Sequence, residues 1–151
     1  MPRRSPWRRA PARPHTSETT EREASMKYLL LITANPAINA HFAALSDEER
    51  QREFQLYWDI ESDLEASGEL VDSKAVDGDT QFVVTRGTDG PTVTEAPAGD
   101  AEVVTGYYLV DVVDQARAAE IAARFPEAAV DGGGIRLTRV WTQDDFDAAM
   151  S

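Results

Sequence analysis

Apolar positions fall along this chain in two periods, and the switch between them marks out the elements. Residues 28–33 form an unbroken apolar run, Tyr28-Leu29-Leu30-Leu31-Ile32-Thr33, ended by Asn35-Pro36, and this predicts a buried strand. Ser46-Asp47-Glu48-Glu49 is a capping box, in which Ser46 accepts from the Glu49 amide and Glu49 reaches back to the Ser46 amide. The helix that it opens is expected to run to Ser67, with Gly68 in the left-handed position just past its end. Its buried stripe is expected to take in Phe54, Tyr57, Ile60 or Glu61, and Leu64.

Residues 70–76 and 81–86 then read as strands joined at Asp77-Gly78-Asp79, whose glycine accepts positive φ. Thr88-Asp89-Gly90-Pro91 is a second turn, leading to a short run at 92–94 and a small-residue loop over 95–102. Residues 103–113 alternate as a long strand. Asp114 can cap a helix over 115–125 built on alanines and Ile121, which Pro126 closes. Gly132-Gly133-Gly134 leads into a last strand at 135–141, and residues 143–150 add a helical turn to an acidic tail.

The resulting order, β-α-β-β-β-α-β with one extra short strand in a hairpin, predicts an α+β fold. It is the ferredoxin-like split βαβ pattern: an antiparallel sheet with two helices on one face. Such a sheet has one face with no cover from its own chain, and an apolar face of that kind is normally buried against a second copy. Residues 26–142 are expected to form the domain, 1–25 a disordered basic tail and 143–151 an acidic tail. A strand opening directly after Met26 makes that methionine read as the true start, with 1–25 an over-extended reading of the gene. The other readings of the tail are a basic arm that touches nucleic acid or membrane, and a targeting peptide, which Glu21 and Glu23 disfavour.

Composition narrows the chemistry. Cysteine is absent, which excludes disulfides, thiolate metal sites and thiol nucleophiles, and with His15 and His41 as the two histidines no metal site is expected. Residues 1–25 hold six arginines and three glutamates, so the remainder carries nine basic and 24 acidic residues. A domain that acidic repels phosphate backbones, so no nucleic acid is expected on it, and the charge suits a soluble cytoplasmic protein. No apolar run approaches the ~20 residues of a membrane span.

Four pieces in series carry a family resemblance. They are Met26-Lys27-Tyr28-Leu29-Leu30-Leu31-Ile32, Ala44-Leu45-Ser46-Asp47-Glu48-Glu49, Gly106-Tyr107-Tyr108-Leu109-Val110-Asp111-Val112, and Ala118-Ala119-Glu120-Ile121-Ala122-Ala123-Arg124-Phe125-Pro126. With them the chain resembles the YCII-related proteins, in particular the DGPF branch. The resemblance implies a homodimeric α+β barrel, two sheets meeting across a two-fold axis around a cavity that takes a small molecule, with no cofactor. It also implies an accessory role linked to sigma-factor regulation. Counted back without gaps from Gly106, the branch's signature loop falls on Glu95-Ala96-Pro97-Ala98, with Asp100 and Glu102 as its later acidic residues. Asp89-Gly90-Pro91 is then a hairpin turn. Tyr57 stands where other family members carry a helix histidine proposed as half of an acid/base pair.

Six side chains are the candidates for chemistry. Asp111 lies inside an apolar strand on the face of Tyr107 and Leu109, where a carboxylate can serve as a general base; the plainer alternative is a solvated strand end. Tyr57 can donate a hydrogen bond or a proton, although an aromatic there more often packs. His41 is a possible base in the loop before the capped helix, with no carboxylate at helical spacing to orient it. Tyr107, Arg139 and Trp141 are candidate ligand contacts: a guanidinium stacked on an indole can grip an anion, or else pair with a carboxylate. Two functions follow. One is a binding or accessory homodimer; the alternative is a cofactor-free acid/base enzyme of lyase or dehalogenation type, using Asp111 with Tyr57, His41 or Arg139.

Overall fold

The computed structural model describes residues 25–96 and 102–151. Residues 1–24 of the basic tail and the signature-loop residues Pro97, Ala98 and Asp100 lie outside those residues.

The element order is β1 (Met26–Ala34), α1 (Pro36–Ala43), α2 (Asp47–Ser67), β2 (Leu70–Ala75), β3 (Phe82–Gly87), β4 (Gly90–Glu95), β5 (Val103–Val112), α3 (Gln115–Ala122), a single 3-10 turn (Pro126–Ala129), β6 (Ile135–Arg139) and α4 (Gln143–Met150). Strands β2-β5-β1-β6 make one antiparallel sheet, the strand order of a split βαβ unit. β3 and β4 pair only with each other.

Register fixes the two faces, because residues directly opposite each other in an antiparallel pair share a side. Tyr28, Leu30 and Ile32 of β1 lie opposite Val110, Tyr108 and Gly106 of β5, and this side is buried. Tyr57, Ile60 and Leu64 of α2 and Ala118, Ile121 and Ala122 of α3 close over it, with Phe125 wedged between. The other side presents Lys27, Leu29 and Leu31 against Asp111, Leu109 and Tyr107. The described residues place no helix on it.

α2 ends and begins as its sequence dictates. Ser46 accepts from the Glu49 amide, Glu49 returns to the Ser46 amide, and Gly68 sits at φ 80°. Ser46→Ala is expected to lower stability by about 1 kcal/mol, read as a shifted urea midpoint with unchanged slope. The buried stripe differs from expectation at one place: Ile60 and Glu61 are both buried, whereas Phe54 is exposed and only tilts against the Tyr57 ring.

Other expectations are corrected. β2 does not pair with the strand that follows it; it pairs with β5, and the Asp77-Gly78-Asp79 connection carries no positive φ. Gly90 takes the positive φ instead, at 131°, in the β3–β4 turn. The helix after Asp114 stops at Ala122, and the chain turns through Pro126–Ala129 before β6. The acidic tail is a full eight-residue helix, capped by Thr142.

Candidate functional site

The ends of β1, β5 and β6 meet at one end of the sheet and enclose a groove of about 460 Å3. Lys27 and Asp111 lie directly opposite each other there on the uncovered face, whereas Arg139 lies opposite Tyr28, on the helix side, and reaches the groove only at its rim, with Trp141 and Thr142 following from the end of β6. The structure thus brings together three of the six candidates, Asp111, Arg139 and Trp141. Asp111 is half-buried at the groove, and its amide donates to the Glu69 carbonyl at 2.8 Å.

Arg139 is half committed. Its two terminal nitrogens donate to the two Asp145 carboxylate oxygens at 2.7 and 2.9 Å, a bidentate pair that α4 delivers from the same chain. Hydrogen bonds from Arg139 and the Thr142 amide pull the Asp145 carboxyl well below the usual carboxylate range. Of the alternatives for Arg139, pairing with a carboxylate is the one present, though with Asp145 of its own chain, while Trp141 makes an edge contact with Phe146, ring centroids 5.0 Å apart. Trp141 remains 52% exposed, so its indole is open to a ligand.

Tyr107 stands further along the same uncovered face. Its hydroxyl donates to Asp72 Oδ2 at 2.8 Å, and Lys74 holds the other Asp72 oxygen at 2.6 Å. Burial works against the Asp72 charge, but the Lys74 and Tyr107 hydrogen bonds together outweigh it and lower the Asp72 pKa. The face is therefore apolar at its centre, at Leu29, Leu31 and Leu109, with polar groups toward its margins.

Tyr57 and His41 belong to a different cluster, on the helix side of the sheet. Tyr57 is buried, its hydroxyl donates to Glu127 of the 3-10 turn, and burial beside that carboxylate pushes the phenol far above its ordinary value. It is a donor held in the core, not a base. His41 is not in a loop but in α1, and it does have an orienting carboxylate: its Nε2 lies 2.9 and 3.1 Å from the two Glu53 oxygens. Glu53 is twelve residues away on a separate helix, which is why helical spacing within one element misses it. The sheet stands between this cluster and Asp111, so the acid/base combination of Asp111 with Tyr57 has no common substrate position.

At the far end of the sheet, Glu102 accepts from Thr33 at 2.6 Å and pairs with Arg136. The Thr33 hydrogen bond and then the Arg136 charge hold its carboxyl below the ordinary value. The glycine run beside it leads into β6, not a helix, so no helix N-terminus is there to receive a phosphate. Among the described residues no group of three His, Asp or Glu could hold a metal ion, and no helix is long and apolar enough to cross a membrane.

Lys27 and Glu127 were not singled out by sequence reasoning. The alternation of 103–113 had located Asp111, and pairing that strand with 26–34 in register would have found Lys27. Residues 26–142 match the family described as the YCII-related domain. No curated protein matches this chain.

Proposed function

Because the chain belongs to the YCII-related domain family, we propose that it acts as a homodimeric α+β barrel of the DGPF kind. The uncovered sheet faces of two copies meet and bind a small organic anion at the groove of Lys27, Asp111 and Trp141, with Arg139 at its helix-side rim. The observation that carries this reading is the uncovered face itself. It has an apolar centre, and at one end a cation and a carboxylate lie opposite each other beside an exposed indole. An ammonium and a partly available guanidinium attract a carboxylate, the indole covers an apolar body, and Asp111 accepts from a hydroxyl or amine on the same molecule. Binding, and with it an accessory role, fits this set better than catalysis. The histidine with an orienting carboxylate lies in the other cluster, across the sheet.

The test uses the full chain. Sedimentation equilibrium is expected to show a dimer that Leu109→Asp converts to a monomer. A panel of small aromatic and aliphatic carboxylates is then screened by thermal shift. A ligand at a hundredfold excess over its Kd stabilises by about 2.7 kcal/mol. Lys27→Ala is expected to weaken the best ligand at least roughly tenfold, the value of one charge-assisted hydrogen bond. A ligand that binds equally well to Lys27→Ala and Trp141→Ala would remove this site from consideration, and a Leu109→Asp dimer would remove the interface.

A further inference from the structure

The β3–β4 hairpin is the least explained part of the fold. Two six-residue strands pair only with each other, and an isolated two-stranded hairpin is marginal in water. This one nevertheless exposes large apolar side chains: Phe82 56%, Val83 50%, Val84 62% and Val93 58%. Register puts Val84 opposite Val93 and Phe82 opposite Glu95, so Phe82, Val84 and Val93 form one continuous patch, and Val83 lies on the other side with Thr85, Thr92 and Thr94. The apolar patch is flanked by Arg86 toward the tip and Glu95 at the root.

The root is tied down. The Gln81 side chain donates to the Val104 carbonyl at 2.8 Å and to the Asp77 carbonyl at 3.0 Å. The Ala96 amide closes on the Gln81 carbonyl at 2.7 Å. Gly78 lies so close to Thr105 that a Cβ there would meet Thr105 Cγ2 at 2.9 Å. The hairpin thus leaves the sheet at a fixed place beside β5, and its two strands beyond that root stay exposed.

Area decides what covers it. The uncovered face of four strands, each about five residues long and ~4.8 Å from the next, amounts to on the order of 300 Å2 of flat surface. A stable pair of chains needs about 800 Å2 from each partner. The hairpin adds roughly 200 Å2 on each of its faces, which narrows the gap by about two fifths. Its character also matches: apolar in the middle with both charge signs at the rim, like the Leu29, Leu31 and Leu109 face between Lys74 and Asp111. A polyanion does not suit such a patch on so acidic a domain.

We propose that the β3–β4 hairpin is an arm whose Phe82, Val84 and Val93 face lies on a second copy of the chain, so that each protomer helps to close the sheet-face cavity of the other. The proposal rests on the homodimer reading above and adds its second contact. In a two-fold pair both arms act at once, and the interface is self-complementary.

The double substitution Val84→Asp, Val93→Asp places two charges in the patch without touching the four-stranded core. Sedimentation equilibrium of the full chain is expected to show its dimer dissociation constant raised roughly 100-fold or more, as for the loss of central interface anchors. Hydrogen exchange on the unsubstituted chain supplies a readout that does not depend on the variant folding. Amides of residues 82–87 and 90–95 are expected to be protected in the dimer and to lose that protection on dilution to monomer. A variant that dimerises within about twofold of the parent overturns the arm, as does hairpin exchange that ignores concentration. If Leu109→Asp dissociates the dimer while Val84→Asp, Val93→Asp does not, the sheet-face interface stands and the arm falls. If the reverse holds, the arm stands and the sheet-face interface falls. A parent chain that stays monomeric with an exchanging hairpin overturns the second copy as occupant.

Discussion

Replacing Phe125 by alanine is expected to lower the free energy of unfolding by about 3–5 kcal/mol, a large share of the stability of a domain this size. Phe125 is 1% exposed and lies where three elements meet. Its ring centroid is 4.9 Å from that of Tyr108 in β5 and 5.9 Å from that of Tyr57 in α2. It also immediately precedes the Pro126–Ala129 turn, and its carbonyl accepts from the Ala128 amide at 3.0 Å. Truncation therefore opens a cavity, removes two aromatic contacts and loosens the seat of a buried carboxylate in one step. Urea unfolding followed by circular dichroism measures the loss. Phe125→Leu, which refills part of the volume, is expected to recover half or more of it. A loss below about 1 kcal/mol for the alanine variant would mean that the surrounding helices collapse onto the site.

Stability is also expected to fall as pH rises above the ordinary carboxylate range, and Glu127 is the reason. Burial pushes its carboxyl above the ordinary value of 4.5, against the lowering effect of the Tyr57 hydrogen bond. Glu53 of α2 adds like charge, and His41 of α1 opposes it in part; the phenol of Tyr108 in β5 faces the same carboxyl. Glu127 Oε1 is buried with no hydrogen-bond partner among the described residues. A group whose pKa is higher in the folded state binds its proton more tightly there. Its contribution is fully present below the unfolded value and is lost as pH rises through the folded one. Asp72, Glu102 and Asp145 are shifted in the other direction, so they lose stability on the acid side. The difference between the parent chain and Glu127→Gln isolates the Glu127 term. Urea midpoints between pH 5 and pH 8 are expected to fall for the parent relative to the variant. Tyr57→Phe, which strips the carboxylate of its donor, is expected to cost about 1–3 kcal/mol near neutral pH. Parallel pH curves for parent and Glu127→Gln would show that the carboxyl titrates as though solvated.

What could be read from the residues alone depended on how far apart the interacting groups are in the chain. The capping box at Ser46 and the left-handed Gly68 are local devices, and both ends of α2 fall where they dictate. The alternation through 103–113 likewise separates the buried Tyr108, Val110 and Val112 from Tyr107, Leu109 and Asp111 on the other face. α1 is hidden in the sequence because Asn35-Pro36 reads as the stop of a strand. It is also a start: Asn35 accepts from the Ile38 amide and Pro36 occupies the first turn. With Ile38 its one buried residue, the helix has no apolar stripe to betray it. The partner of β2 was missed for a different reason. A turn at Asp77-Gly78-Asp79 suggests pairing with the next strand in sequence, and turn chemistry carries no information about a strand some thirty residues on. Nothing near Pro126 announces that Glu127 is buried, since the hydroxyl that receives it lies seventy residues earlier. The site shows the same limit. Asp111 and Arg139 are visible as polar interruptions of apolar strands, whereas Lys27 and Glu53 acquire meaning only once the elements are placed.

The register shift between Leu70 and Asp72 has a consequence for how far this chain can assemble. It falls on β2, which with β6 is one of the two outer strands of the sheet, and leaves Val71 outside the regular ladder and 40% exposed. An interrupted rim offers another strand a broken row of donors and acceptors, which hinders a sheet from continuing sideways past β2. Edge addition at β2 is disfavoured while contact through the flat surface stays open. Any association of this chain is thereby expected to use the flat surface of the sheet in preference to its β2 rim.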